Sequence, residues 1–145
     1  MTGLDFSPEL LALARDTVPK ARFIEQDLSD LTSLSDASFE GVWANASLHH
    51  LCKEKFPQIL RELHRLLSPS GALFLSVKKG SGEGLEADKR YGGILKYWAY
   101  YTEEEIAALL EQAGFRTLHI HTDAISNPYQ THSFIKVLAL KPDPS

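Results

Sequence analysis

Residues 72–77, read Ala-Leu-Phe-Leu-Ser-Val, narrow most sharply what this chain can fold into. Six residues with a single polar side chain describe a strand covered on both faces, because a strand with one wet face alternates apolar and polar positions. A helix precedes it. Between Lys53 and Leu67 the side chains of Phe56, Ile59, Leu60, Leu63, Leu66 and Leu67 recur at helical spacing and give one apolar face. Pro57 fits the first turn, and Ser68-Pro69-Ser70-Gly71 ends the helix. A buried strand beside a helix with one apolar face calls for layers of helix on sheet.

The remainder of the chain repeats that alternation. Apolar residues run up to Asp5, Ser7 is a good N-cap and Pro8 a good first helical residue, and the helix runs to about Val18, where Pro19 stops it. Ala21 to Ile24 reads as a short strand ending at Glu25-Gln26-Asp27, residues 29–38 as a polar loop, and Phe39 to Asn45 as the next strand. Thr102-Glu103-Glu104-Glu105 is a capping box that starts a helix with Ile106, Leu109 and Leu110 on its buried face and Gly114 at its end. Phe115 to Ile125 and Ser133 to Leu140 are the last strands, joined through Asn127-Pro128 by a loop short enough for an antiparallel pair. The order implies a single α/β domain over residues 1–145, with a mostly parallel sheet covered on both faces.

Composition excludes several function classes. A net charge of −4 lacks the basic footprint a nucleic-acid partner needs, and no window reaches the roughly 18 apolar residues of a membrane span. One cysteine, Cys52, allows no internal disulfide and fits a reducing cytoplasm, and no signal peptide is visible. A cytoplasmic protein with a small-molecule partner is the expectation.

Ligands of open parallel sheets sit at the carboxyl ends of strands. Three such ends are polar: Asp5, Asp27, and the run Asn45-Ala46-Ser47-Leu48-His49-His50. A carboxylate offers two acceptor oxygens and can take both hydroxyls of a ribose, and a second acid one strand over can accept from an adenine amino group. The same acids also suit the N-termini of helices, where the dipole favours them.

The segments GLDFSPELLALAR, FIEQDLSDL, FEGVWANASLHHL, ILRELHRLLSPSGALFLSV and YYTEEEIAALLEQAGF, in that order, resemble the class I S-adenosylmethionine-dependent methyltransferases. The likeness covers residues 3–140 and implies a Rossmann-like three-layer sandwich closed by a C-terminal antiparallel strand pair. It implies S-adenosyl-L-methionine as cofactor, with Asp5 on the ribose, Phe6 beside the adenine, and Asp27 and the Leu28 N–H at the adenine edge. Ala44, Asn45 and the Leu48-His49-His50 turn would flank the methionine part and the acceptor, with His49 or His50 as the general-base candidates. The family's first strand ends in a glycine-rich loop that holds the methionine moiety. Nothing precedes Met1, so the expectation is an N-terminally truncated domain without that first βα unit. The function implied is methyl transfer to an unidentified small molecule; the alternative is a non-catalytic pseudo-methyltransferase fragment acting as an interaction domain.

Further readings follow from the residues. Gly80-Ser81-Gly82-Glu83-Gly84 satisfies G-x-G-x-G literally, yet residues 85–91 are a poor helix start and Gly92-Gly93 breaks it, so a mobile surface loop over the substrate side is expected. The aromatic group Tyr91, Tyr97, Trp98, Tyr100 and Tyr101 either lines an acceptor pocket or covers the sheet. His119 and His121 share a strand face with His132 near in sequence, but zinc needs three or four converging ligands and no metal site is expected. Without the family's central first strand, the strand ending at Asp5 is expected beside strand 39–45, or another chain fills the gap through self-association.

Overall fold

The computed structural model describes residues 1–89, 92–126, 128, 130 and 132–144. The chain divides into two compact units, residues 1–34 and residues 35–145.

The first unit is a parallel βαβ turn: β1 (Thr2–Asp5), α1 (Pro8–Thr17) and β2 (Arg22–Glu25). The helix starts where the sequence places it, because the Ser7 hydroxyl accepts the Leu10 N–H at 3.3 Å and Pro8 occupies the first turn. It ends at Val18, whose N–H returns to the Ala14 carbonyl at 2.8 Å. The strands pair in register from Thr2↔Arg22 to Asp5↔Glu25. Gly3 lies opposite Phe23, and a Cβ there would come within 2.7 Å of the Phe23 ring, so a larger residue would force that ring aside. Of the three leucines of α1, Leu11 is buried, whereas Leu10 and Leu13 are 57% and 64% exposed.

The second unit holds β3 (Phe39–Asn45), α2 (Phe56–Leu66), β4 (Leu67–Lys78), β5 (Glu83–Asp88), β6 (Ile94–Ala99), α3 (Glu103–Gln112), β7 (Arg116–Thr122) and β8 (Phe134–Leu140). Four of these strands form one sheet in the order β3-β4-β8-β7, with β3 parallel to β4 and β8 antiparallel to both its neighbours. The C-terminal antiparallel pair is therefore present. Leu73, Leu75 and Val77 alternate along β4 and are fully buried, as are Ile135 and Ala139 opposite them on β8. The helical residues Phe56, Ile59, Leu60 and Leu63 of α2 complete this core, and α2 packs against β4. The capping box is formed, with the Thr102 hydroxyl accepting the Glu105 N–H at 3.1 Å and Glu105 reaching back.

Several expectations need correction. Residues 83–99 are not a loop followed by an unassigned aromatic segment: β5 and β6 pair antiparallel from Glu83↔Ala99 to Asp88↔Ile94. Tyr97 and Ala99, two apart, lie opposite Leu85 and Glu83, and Gly84 is itself a strand residue opposite Trp98. Tyr91 lies outside the described residues, as does Asn127. Strand β4 begins at Leu67, five residues before the expected Ala72, because Phe39 pairs with Leu67 and Gly41 with Ala72, leaving residues between them as an irregularity. The other face of the sheet is not uniformly covered: Trp43 stacks on Phe74 at 4.0 Å yet is 74% exposed, and Leu138 in the same row is 40% exposed. Finally, β1 and β3 belong to separate sheets, β1 pairing with β2 and β3 with β4.

Two substitutions test this core. Leu60→Ala removes a fully buried side chain and is expected to lower unfolding free energy by about 2–5 kcal/mol. Thr102→Ala removes the cap and is expected to cost about 1 kcal/mol. Urea denaturation measures both, and an unchanged midpoint for Leu60→Ala contradicts the packing described.

Candidate functional site

The carboxyl edge of the first unit is acidic. Because β1 and β2 are parallel and Asp5 pairs with Glu25, Asp5 and the residues just after β2 emerge at the same end. The Asp5 carboxylate accepts the Ser7 N–H through Oδ1 at 2.9 Å, which leaves Oδ2 for another donor. Asp27 folds into a similar local turn, with Oδ1 accepting the Ser29 N–H and hydroxyl, each at 2.8 Å. Asp5 is half-buried and Asp27 exposed, while Phe6 is 74% exposed and Leu28 half-buried. Asp5 stands just before α1, as an acid at a helix N-terminus would, whereas no helix follows Asp27 before β3; each is tied to a nearby backbone N–H and presents a carboxylate at a strand end.

In the second unit, β3 and β4 end side by side. Ala44 is buried beneath the end of β3, and Asn45 follows it on the face that carries Ser76. Ser76 is 1% exposed; its hydroxyl donates to Asn45 Oδ1 at 2.7 Å and accepts the Ala46 N–H at 2.9 Å. A cavity of about 680 Å³ opens above this pair. Its walls come from β4 (Lys78), the β5–β6 hairpin (Glu86, Asp88, Trp98), Tyr100, and β8 with the segment before it (His132, Phe134, Lys136). The aromatic group of the sequence therefore does line a pocket, through Trp98 and Tyr100.

The charges around this cavity are mutually engaged. The Lys78 ammonium lies 3.6 Å from the centroid of the Trp98 ring, a cation–π contact to a nearly buried lysine. Asp88 lies 3.4 Å from the Lys96 ammonium. Tyr100 donates to Glu86 at 2.5 Å and stacks on His132 with centroids 4.5 Å apart; burial, with the Glu86 carboxylate adding to it, pushes its hydroxyl pKa well up. Lys136 pairs with Asp123 at 2.5 Å and holds that carboxyl below its usual range, with His121 contributing from the other side.

The two histidine candidates part company. His49 is 1% exposed and packs on Trp98 and Phe134, with centroids 5.0 and 6.0 Å away. Burial, aided by repulsion from His50 and Lys78, lowers its pKa to about 3, so the ring is neutral, and among the described residues its Nδ1 has no hydrogen-bond partner. His50 is exposed, and its Nδ1–H donates to the Tyr97 carbonyl at 3.1 Å, leaving Nε2 as the basic atom. Desolvation lowers the His50 pKa, opposed by that carbonyl. Neither ring lines the cavity. His119 and His121 lie with rings 4.9 Å apart, while His132 stacks on Tyr100 instead of joining them. Among the described residues no group of three or more His, Cys, Asp or Glu side chains is placed to hold a metal ion. Ser76, Lys78, Asp88 and Lys136 were not among the sequence-derived site residues. Ser76 had a signal, as the one polar residue in an otherwise apolar strand, next to its carboxyl end.

A family model described as "Methyltransferase domain" matches residues 1–75. The demethylmenaquinone methyltransferase of Chlorobaculum tepidum is 35% identical over 75 residues, which cover 52% of this chain and 30% of that enzyme. The chain thus matches well under two thirds of this relative's length. A solved S-adenosylmethionine-dependent methyltransferase from Methanosarcina mazei has a TM-score of 0.83 at 20% identity, covering 98% of this chain and 82% of that one, a likeness of fold. The Burkholderia thailandensis 1,6-didemethyltoxoflavin-N1-methyltransferase, solved with 1,6-didemethyltoxoflavin and S-adenosylhomocysteine bound, has a TM-score of 0.73 at 28% identity, covering 98% of this chain and 61% of that one.

The buried His49 makes stability depend on pH. Its pKa is depressed from 6.5 to about 3 on folding, so the unfolded chain binds the extra proton between those values. Stability is then full above about pH 6.5 and falls by up to about 1.4 kcal/mol per pH unit as the pH drops toward 3. Denaturation across this range is expected to show His49→Leu with a flatter profile than the parent chain. Parallel profiles would contradict a neutral buried imidazole.

Proposed function

The chain belongs to the methyltransferase-domain family, and from that premise we propose that it binds S-adenosylmethionine and passes the methyl group to a small-molecule acceptor. The observation that carries this reading is the pair of carboxylates, Asp5 and Asp27, brought to one carboxyl edge of a parallel strand pair within the span matched by the family model. The donor set fits the cofactor. Asp5 keeps Oδ2 for the ribose hydroxyls, Phe6 offers an exposed ring for the adenine, and Asp27 with the Leu28 N–H suits the adenine edge.

When bound, the cofactor supplies a methyl group on a sulfonium, which an aligned nucleophile displaces in line. This chain's residues would supply alignment. The cavity beside Asn45 has the size of a small-molecule site, and Trp98, Tyr100 and Phe134 give part of its wall an apolar surface. Tyr100, held protonated by burial and by Glu86, acts as a donor and not as a base. Orientation of this kind accounts for most of the acceleration that transfer from a sulfonium requires. The net charge of −4 supports a small acceptor over a nucleic acid. Among the described residues no helix is long and apolar enough to cross a membrane.

Calorimetric titration with S-adenosylhomocysteine tests the reading. Binding is expected, and Asp5→Asn is expected to weaken it about tenfold or more, the worth of a hydrogen bond to a charged group. No heat up to millimolar ligand, or an unchanged affinity for Asp5→Asn, would overturn it. A second reading, self-association, rests on Trp43. It is 74% exposed on β3, an edge strand with neither lysine nor proline to discourage pairing. Sedimentation is expected to show concentration-dependent dimers that Trp43→Lys abolishes; two monomeric proteins would sink this reading.

A further inference from the structure

We infer that Asn45 serves the site as a hydrogen-bond donor, that Ser76 holds it in that orientation, and that the group seated on it is a carboxylate or carbonyl oxygen. The inference rests on the reading of the cavity as a methyl-transfer site and names the ligand chemistry that site takes.

The orientation follows from counting protons. The Ala46 N–H can only donate, so at 2.9 Å the Ser76 oxygen accepts. The one hydroxyl proton must then go elsewhere, and Asn45 Oδ1 at 2.7 Å receives it. Ser76 is 1% exposed, so water does not offer an alternative. Rotating the Asn45 amide by half a turn would set its NH₂ against the Ser76 hydroxyl and strand a buried proton, which is costlier than losing an exposed bond. Ala46 sits at a φ of +52°, a left-handed conformation that only a well-determined turn holds for a non-glycine residue. The amide of Asn45 is therefore fixed by its oxygen.

With Oδ1 engaged, Nδ2 is the polar atom that Asn45 has left at the cavity it lines, and among the described residues it has no protein acceptor. Its neighbours on that face are already engaged. Asn45, Ser76 and Lys136 are successive register partners across β3, β4 and β8, with Ser76 committed to Asn45 and Ala46 and Lys136 to Asp123, and Lys78, over the Trp98 ring, lies two pairs further along β4. The acids that line the same cavity are already met, Glu86 by Tyr100, Asp88 by Lys96, and Asp123 by Lys136 and His121. The Asn45 amide donor therefore favours a ligand oxygen with lone pairs and disfavours a ligand N–H or O–H at this point. That oxygen has two sources, the carboxylate of the cofactor's amino-acid end or an oxo group of the acceptor.

Side-chain amide resonances separate these. The two Nδ2 protons of Asn45 are assigned in a ¹⁵N–¹H spectrum by their loss in Asn45→Asp. Titration with S-adenosylhomocysteine should shift them if the cofactor's carboxylate seats there, and 5′-methylthioadenosine, which lacks that end, should not. Benzoate added to the S-adenosylhomocysteine-saturated protein should shift them if the acceptor side does. Whichever carboxylate probe acts, Asn45→Asp should weaken it about tenfold or more, as should Ser76→Ala, while Ser76→Thr, which keeps the hydroxyl, should restore binding. The inference is overturned if neither carboxylate probe moves the resonances while S-adenosylhomocysteine still binds, or if Ser76→Ala leaves both resonances and affinity unchanged. Failure of S-adenosylhomocysteine to bind at all would instead defeat the cofactor reading, and the benzoate titration of the free protein would then decide the role of Asn45.

Discussion

Strand β4 is the member on which the second unit depends. It is hydrogen-bonded on one edge to β3 and on the other to β8, and α2 packs on it. Leu73, Leu75 and Val77 are fully buried, each worth about 1.5–3 kcal/mol relative to exposure. A strand held on both edges and on one face has a fixed carboxyl end. That rigidity allows polar groups to be set at the end of the strand with little freedom to move. Ser76 and Lys78 occupy those positions, and both are buried. Burial of such groups is tolerable only with partners, which Asn45 and Ala46 supply to Ser76, and the Trp98 ring to Lys78.

The same constraint explains why the site is built from elements far apart in sequence. Asn45 comes from β3, Ser76 and Lys78 from β4, Trp98 from the β5–β6 hairpin and Lys136 from β8. Each is placed by a strand ladder and not by a free loop, so the donors in the cavity keep their spacing without a ligand. In the first unit the logic is more local. The parallel register sets Asp5 and Asp27 at one edge, and each carboxylate is oriented by a backbone N–H two residues ahead. A carboxylate held that way has one oxygen committed to the fold, which limits how it can meet a ribose or an adenine.

Helices were the most legible part of the chain, because caps and apolar periodicity are local signals. Ser7, Pro8 and the Thr102–Glu105 box mark helix starts that the structure reproduces. The β5–β6 hairpin was hidden for a physical reason: glycines at 80, 82 and 84 and a pair at 92 and 93 look like a loop, while the pairing that makes 83–99 a hairpin is a relation between strands. Asp5, Asp27 and Asn45 were legible as polar residues closing apolar runs. Lys78 and Lys136 were not, because a lysine at a strand end usually points to solvent, and only the sheet order reveals that both face one cavity. The role of His49 also needed the fold, since adjacent histidines in a turn differ only in what packs on them.

The central claim is that the strand-end residues of this chain form the contacts of a bound cofactor. A crystal structure of the chain soaked with S-adenosylhomocysteine tests it most directly. The account predicts ribose hydroxyls at hydrogen-bond distance, roughly 2.5–3.0 Å, from the Asp5 carboxylate, with the adenine amino group at Asp27. Ligand density elsewhere on the chain, or an ordered ligand whose ribose makes no contact with Asp5, would contradict it.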